Sequence, residues 1–147
     1  MEFIGRHKHR IDKKGRVSVP SAFRKILSEE YDNHVIISNG LNYLEIYPYA
    51  VFKKRIDRLN TLPSTLDIVE DYKRFQLGDA TDYLIDELGR LLIPSYLREE
   101  AGLKEEVIII GMADAFEIWD ADTYGKEHQR LKDNFHNIKK GISEHGV

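Results

Sequence analysis

The sequence predicts an α+β protein built from two tandem, pseudo-symmetric units, each a β-hairpin with a short helix, with intervening and C-terminal helices. Three observations predict it. IDKKGRVSVPSAFR, from Ile11, returns 74 positions later as IDELGRLLIPSYLR, from Ile85, with seven of fourteen residues identical; average composition would give about one by chance. VIISNGLNYLEIYP (35–48) faces VIIIGMADAFEIWD (107–120) at a distance of 72 positions. Within each copy the apolar spacing changes from alternation to steps of three and four, the change from strand to helix.

Each element has a local reason. Asp-x-x-Gly between two alternating runs signals a hairpin. The carboxylates of Asp12 and Asp86 can accept backbone N–H groups inside the turn, and Gly15 and Gly89 can take its left-handed position. Val17 and Val19 then alternate with Arg16 and Ser18, as on a half-buried strand. Pro20 ends that strand and suits the first position of a short helix whose apolar side is Phe23, Ile26 and Leu27. Strands at 35–38 and 43–47 are joined through Asn39 and Gly40. A helix carrying Phe52, Ile56 and Leu59 follows, Pro63 interrupts it, and another helix is expected from near Thr65. The second copy repeats the plan and ends in a helix with Tyr124, His128, Leu131, Phe135, Ile138 and Ile142 on one seam. That seam reads as core or subunit contact, because the opposite face mixes charges.

The chain has 147 residues, 41% hydrophobic and 32% charged, which fits a packed domain or two small units sharing a core. No cysteine is present, so disulfides and thiolate chemistry are excluded. Apolar runs of four residues, such as 107–110, fall far short of the roughly 20 needed to span a bilayer. The basic N-terminus has no apolar stretch behind it, so a secretory signal is not expected, and a cytoplasmic location is.

Charge separates the copies. Residues 1–25 hold eight Lys or Arg against two acids, while the whole chain has a net charge of −3. Before the first turn, Arg6, Lys8 and Arg10 share one strand face, and His7, His9 and Ile11 the other. Cations at every second residue stand about 7 Å apart, close to the spacing of phosphates along a nucleic-acid strand. Lys13 and Lys14 project at the turn tip. In the second copy Arg6, Lys8 and Arg10 become Ala80, Asp82 and Leu84, and Lys13 and Lys14 become Glu87 and Leu88. Asp12, Gly15 and Arg16 persist as Asp86, Gly89 and Arg90. Shape is kept and positive charge is lost, so the extra cations point to a polyanion. Arg16 has two compatible readings: bracing the turn through Asp12, or through an inner partner such as Glu45 (Glu117 for Arg90), and reading a guanine edge with two donors.

Other chemistry finds little support. His7 and His9 have no evident third ligand, so no metal is expected. Ser18, Ser21 and Ser95 lack a His/Asp setting, and no Gly-rich phosphate loop occurs. Neither an enzyme nor a cofactor is expected.

The paired motifs 12–16 (DKKGR) and 86–90 (DELGR), continued to Pro20 and Pro94, resemble the MraZ family of bacterial transcriptional regulators, related to the AbrB-type swapped-hairpin DNA binders. The resemblance spans nearly the whole chain. It implies an AbrB-like barrel and a ring-shaped homo-oligomer. It further implies a nucleoid-associated regulator that binds direct repeats of double-stranded DNA upstream of the division and cell-wall gene cluster containing its own gene, and represses it. The family's DNA-contacting region maps onto 12–16. Residues 1–75 are then the basic, DNA-contacting unit, and residues 76–147 the acidic unit serving structure and assembly. Arg6, Lys8, Arg10, Lys13 and Lys14 are expected to hold phosphates, and Arg16, with Lys14, to contact bases. The competing reading is a ring-forming scaffold whose basic rim binds an acidic protein.

Overall fold

A computed structural model describes residues 1–147. The elements run β1 (Arg6–Arg10), β2 (Arg16–Ser18), α1 (Ser21–Glu30), β3 (His34–Asn39), β4 (Leu44–Pro48), α2 (Tyr49–Leu59), α3 (Asp67–Gln76), β5 (Thr81–Leu84), β6 (Arg90–Leu92), α4 (Ser95–Glu100), β7 (Glu106–Gly111), β8 (Phe116–Asp120) and α5 (Ala121–Ser143). The fold is α+β, and the order of elements repeats as the sequence predicts. Pro20, Pro48 and Pro94 each stand one residue before a helix, at the cap, with extended backbone. A proline there gives up no helical hydrogen bond.

Six antiparallel strands form one sheet in the order β1-β7-β8-β4-β3-β5, and β2 pairs with β6 in a separate ribbon. The two copies are related by a pseudo-two-fold axis. It passes between β2 and β6, where Val17 faces its counterpart Leu91, and between β4 and β8, where Glu45 faces its counterpart Glu117.

This pairing corrects the simple hairpin. The strands flanking each turn part company almost at once: around the first turn a single bridge, Ile11 to Val17, remains. β1 runs instead along β7 of the second copy, and β5 along β3 of the first. Each unit lends its first strand to the other. The sequence cannot distinguish the two pairings, because the copies carry interchangeable strand patterns.

Exchange produces one shared core. Phe23, Leu27, Ile37 and Ile46 of the first copy and Leu91, Leu97, Ile109 and Ile118 of the second lie in the same buried cluster. Phe3, Phe23 and Phe116 meet at its centre with ring centroids 5.1–5.3 Å apart. Truncating Leu97, which is fully buried, would cost about 2–5 kcal/mol.

The helices are treated differently. α2 buries Phe52, and α3 folds back beside it. The end of α3 places Gln76 so that its amide donates to the Asn39 carbonyl (3.0 Å) and to Glu45 (3.4 Å). α5 begins against Trp119 through Tyr124, but its second half leaves the body, with Phe135, Ile138 and Ile142 exposed. No helix is long and apolar enough to cross a membrane.

Candidate nucleic-acid interface

The first turn is closed by its own aspartate. Asp12 Oδ1 accepts the N–H groups of Lys14 and Arg16, both at 2.9 Å, and Oδ2 accepts Arg16 Nε at 2.8 Å. The Arg16 N–H, then its guanidinium and the Lys14 N–H, hold the Asp12 carboxyl below the ordinary carboxylate range against a smaller cost of desolvation. Gly15 takes φ +90°, a left-handed conformation costly for other residues.

The second turn repeats this atom for atom. Asp86 accepts Leu88 N, Arg90 N and Arg90 Nε, each at 2.9 Å, and Gly89 has φ +75°. Desolvation raises the Asp86 carboxyl, but the Arg90 N–H and guanidinium outweigh it and leave the group below its usual range.

Arg16 therefore braces its turn through Asp12. Glu45 and Glu117 are not its partners or Arg90's, which corrects that part of the expectation. The two glutamates face each other across β4 and β8, where Glu45 accepts the Tyr47 hydroxyl and Glu117 accepts Trp119 Nε1. Burial, and then the Glu45 charge against the Trp119 hydrogen bond, leave the Glu117 carboxyl above its ordinary range. Bracing uses only Nε of Arg16. Its terminal nitrogens make no hydrogen bond within the chain, and about a third of the side chain is open to solvent (34%). A guanidinium so held still offers two donors to a partner.

β1 alternates as expected: Arg6, Lys8 and Arg10 are exposed, whereas His7 and His9 are half-buried. His7 packs edge-on against Phe23. The cation ladder, however, is partly answered by acids. Lys8 lies 3.4 Å from Glu106, and Arg10 lies 2.7 Å from Glu105 and 3.5 Å from Glu106. Strand exchange is the cause, since it sets β1 beside the start of β7. These pairs are exposed, with Arg10 66% open, so each is worth about 0–1 kcal/mol and yields to a stronger anion. Arg6, Lys13 and Lys14 are exposed and form no ion pair. The turn tip and Arg6, at the start of the ladder, carry the free charge.

Two cations of the second copy flank the first turn. A hollow of about 480 Å³ beside the turn is lined by Arg10, Asp12, Lys13 and Glu105 together with Arg98 and Lys104. Sequence reading missed Arg98 and Lys104 because they lie over 80 residues away along the chain. The signal was present in part, since Arg24 and Arg98 close the matched segments of the repeat. The equivalent hollow beside the second turn has Arg24 and Lys25 facing Asp86 and Glu87.

The chain matches the family model described as "MraZ protein, putative antitoxin-like" over residues 3–74 and again over 77–142. It is 38% identical over 146 residues to a protein of Alkaliphilus metalliredigens named Transcriptional regulator MraZ, covering 99% of each chain. Proteins of the same name from Halothermothrix orenii and Leuconostoc citreum are 33% and 34% identical, over 99% and 95% of this chain and 99% and 96% of their own lengths.

Proposed function

The chain belongs to the MraZ family, and on that premise we propose that it regulates transcription by binding double-stranded DNA through its first turn. The observation that carries this reading is the pair of turns. They share one hydrogen-bonded skeleton, yet only the first exposes two unpaired lysines at its tip, where the second has Glu87 and Leu88. In this proposal Lys13 and Lys14 hold phosphates at the tip, and Arg6, Lys8 and Arg10 hold them along β1. The Arg16 guanidinium, steadied by Asp12, presents its terminal nitrogens to a base edge. Residues 1–75 form the DNA-contacting unit and residues 76–147 the unit serving structure and assembly.

The protein is then a binding protein rather than an enzyme, located in the cytoplasm at the nucleoid. Its target is the promoter of the division and cell-wall gene cluster that includes its own gene, which it represses. A ring of copies would set several weakly binding turns against direct repeats, and multivalency would supply the affinity. The unpartnered second half of α5 supports assembly, since an apolar seam on a projecting helix calls for a partner.

Gel-shift titration against its own promoter and against random DNA tests this. Binding should weaken steeply with salt, by a logarithmic slope of about 0.9 per phosphate neutralised. Arg16→Ala should abolish the preference for promoter while keeping the fold, as read by circular dichroism. No salt-sensitive DNA binding, with capture of an acidic protein instead, would contradict the proposal and favour a scaffold.

A further inference from the structure

The first turn is closed by its own residues but aimed by others. Its two strands diverge into different partners, β1 into the sheet and β2 into the ribbon, so neither alone fixes the pose of the tip. Beyond the ribbon, the Gly15 carbonyl accepts the N–H of Ile93 at 2.8 Å. The Ile93 carbonyl in turn accepts Nε of Arg98, on α4, at 3.1 Å. The circuit closes on Gly15 itself: a Cβ placed there would lie 2.7 Å from the Ile93 carbonyl and 2.9 Å from Arg98 Nε. The first turn is thus seated on a platform made entirely by the second copy. Across the pseudo-two-fold axis the Gly89 carbonyl accepts the Val19 N–H at 2.9 Å, and the Arg24 guanidinium fills the space a Gly89 side chain would need.

We propose that Arg98 is a positioning residue for the DNA-reading turn of the opposite unit, and that Arg24, which packs on Gly89 without a matching hydrogen bond to the Val19 carbonyl, holds the second turn, which reads nothing, by packing alone. The inference rests on the reading of the first turn as the DNA contact. It gives the acidic copy a task in recognition without any contact of its own to nucleic acid. Through the Ile93 carbonyl, Arg98 fixes where Gly15 sits, and Gly15 fixes the direction in which Lys14 and Arg16 project. Guanidinium geometry is essential, because a planar Nε donor packed against a glycine has no equivalent in a lysine.

The test pairs amide hydrogen exchange in free protein with promoter and random-DNA binding, for Arg98→Ala, Arg98→Lys and Arg24→Ala in the full chain. Arg98→Ala should speed exchange at Lys14, Gly15 and Arg16 and leave Leu88, Gly89 and Arg90 unchanged; Arg24→Ala should do the reverse. Arg98→Ala should cut the ratio of promoter to random binding by roughly tenfold with the salt slope unchanged, and Arg24→Ala should leave it alone. Arg98→Lys should fail to restore discrimination, and it replaces Arg98→Ala should the alanine variant lose its fold. Loosening of the second turn by Arg98→Ala, or of neither turn, overturns the proposal. So does a salt slope lowered by about one with discrimination intact, which would make Arg98 a phosphate contact. Crossed exchange effects in a protein that never prefers its promoter would uphold the positioning role and refute the DNA reading instead.

Discussion

The turns at 12–16 and 86–90 have one geometry and different tips. In both, an aspartate accepts two backbone N–H groups and an arginine Nε at 2.8–2.9 Å. Around them the residues differ. Lys8 against Glu106 in one half becomes Asp82 against His34 in the other, at 2.7 Å, with each residue in the counterpart position. Lys13 and Lys14 become Glu87 and Leu88. The difference separates residues that make the shape from residues that use it. Had the cations been needed to fold the turn, the second copy could not have dispensed with them.

Exchanging the tips should have the largest effect. Lys13→Glu with Lys14→Leu gives the first turn the second turn's tip, and promoter affinity in gel shift should fall by about two orders of magnitude while thermal stability stays put. The complementary change, Glu87→Lys with Leu88→Lys, should add little. A gain equal to the first loss would show that the copies are equivalent DNA readers.

Backbone strain comes next. Gly15→Ala should cost about 1–3 kcal/mol in urea unfolding, since φ is +90° and the new Cβ meets the backbone carbonyl of Ile93. Gly89→Ala, at φ +75°, should cost about 1 kcal/mol, since its main obstacle is the movable Arg24 side chain. Equal costs would mean the two seats do not differ.

Acid should weaken both turns alike. Asp12 and Asp86 have carboxyls lowered in the folded state, so the stability they confer is present above the ordinary carboxylate range and is lost as pH falls through their folded values. Urea midpoints measured from pH 6 downward should therefore fall less steeply for Asp12→Asn and Asp86→Asn than for the native chain. A flattened profile in only one variant would break the symmetry of the skeleton.

The smallest effect belongs to the ladder. Glu106→Gln removes a carboxylate shared by Lys8 and Arg10, and DNA affinity at low salt should rise by about twofold to threefold. No change would place DNA away from β1 and confine contact to the tip.

Much of this was legible in the chain. The repeat, the aspartate-closed turns and the alternation of Arg6, Lys8 and Arg10 against His7 and His9 follow from local chemistry, and the structure keeps them. α3 starts at Asp67, close to the start expected near Thr65. What the sequence withheld is long-range. Two copies with interchangeable strands can pair within or between themselves, and only the second choice brings Glu105 and Glu106 onto the ladder and Arg98 under the first turn. Glu45 and Glu117 recur at matched positions, as partners of Arg16 and Arg90 would. Their recurrence instead reflects the symmetry axis that sets them opposite one another.

Position-specific photocrosslinking tests the division of labour most directly. A crosslinker placed at residue 14 in one variant, and at its counterpart residue 88 in another, is irradiated with promoter DNA in each case. The account predicts protein–DNA adducts from residue 14 and none from residue 88. Adducts of similar yield from both, or from residue 88 alone, would contradict it.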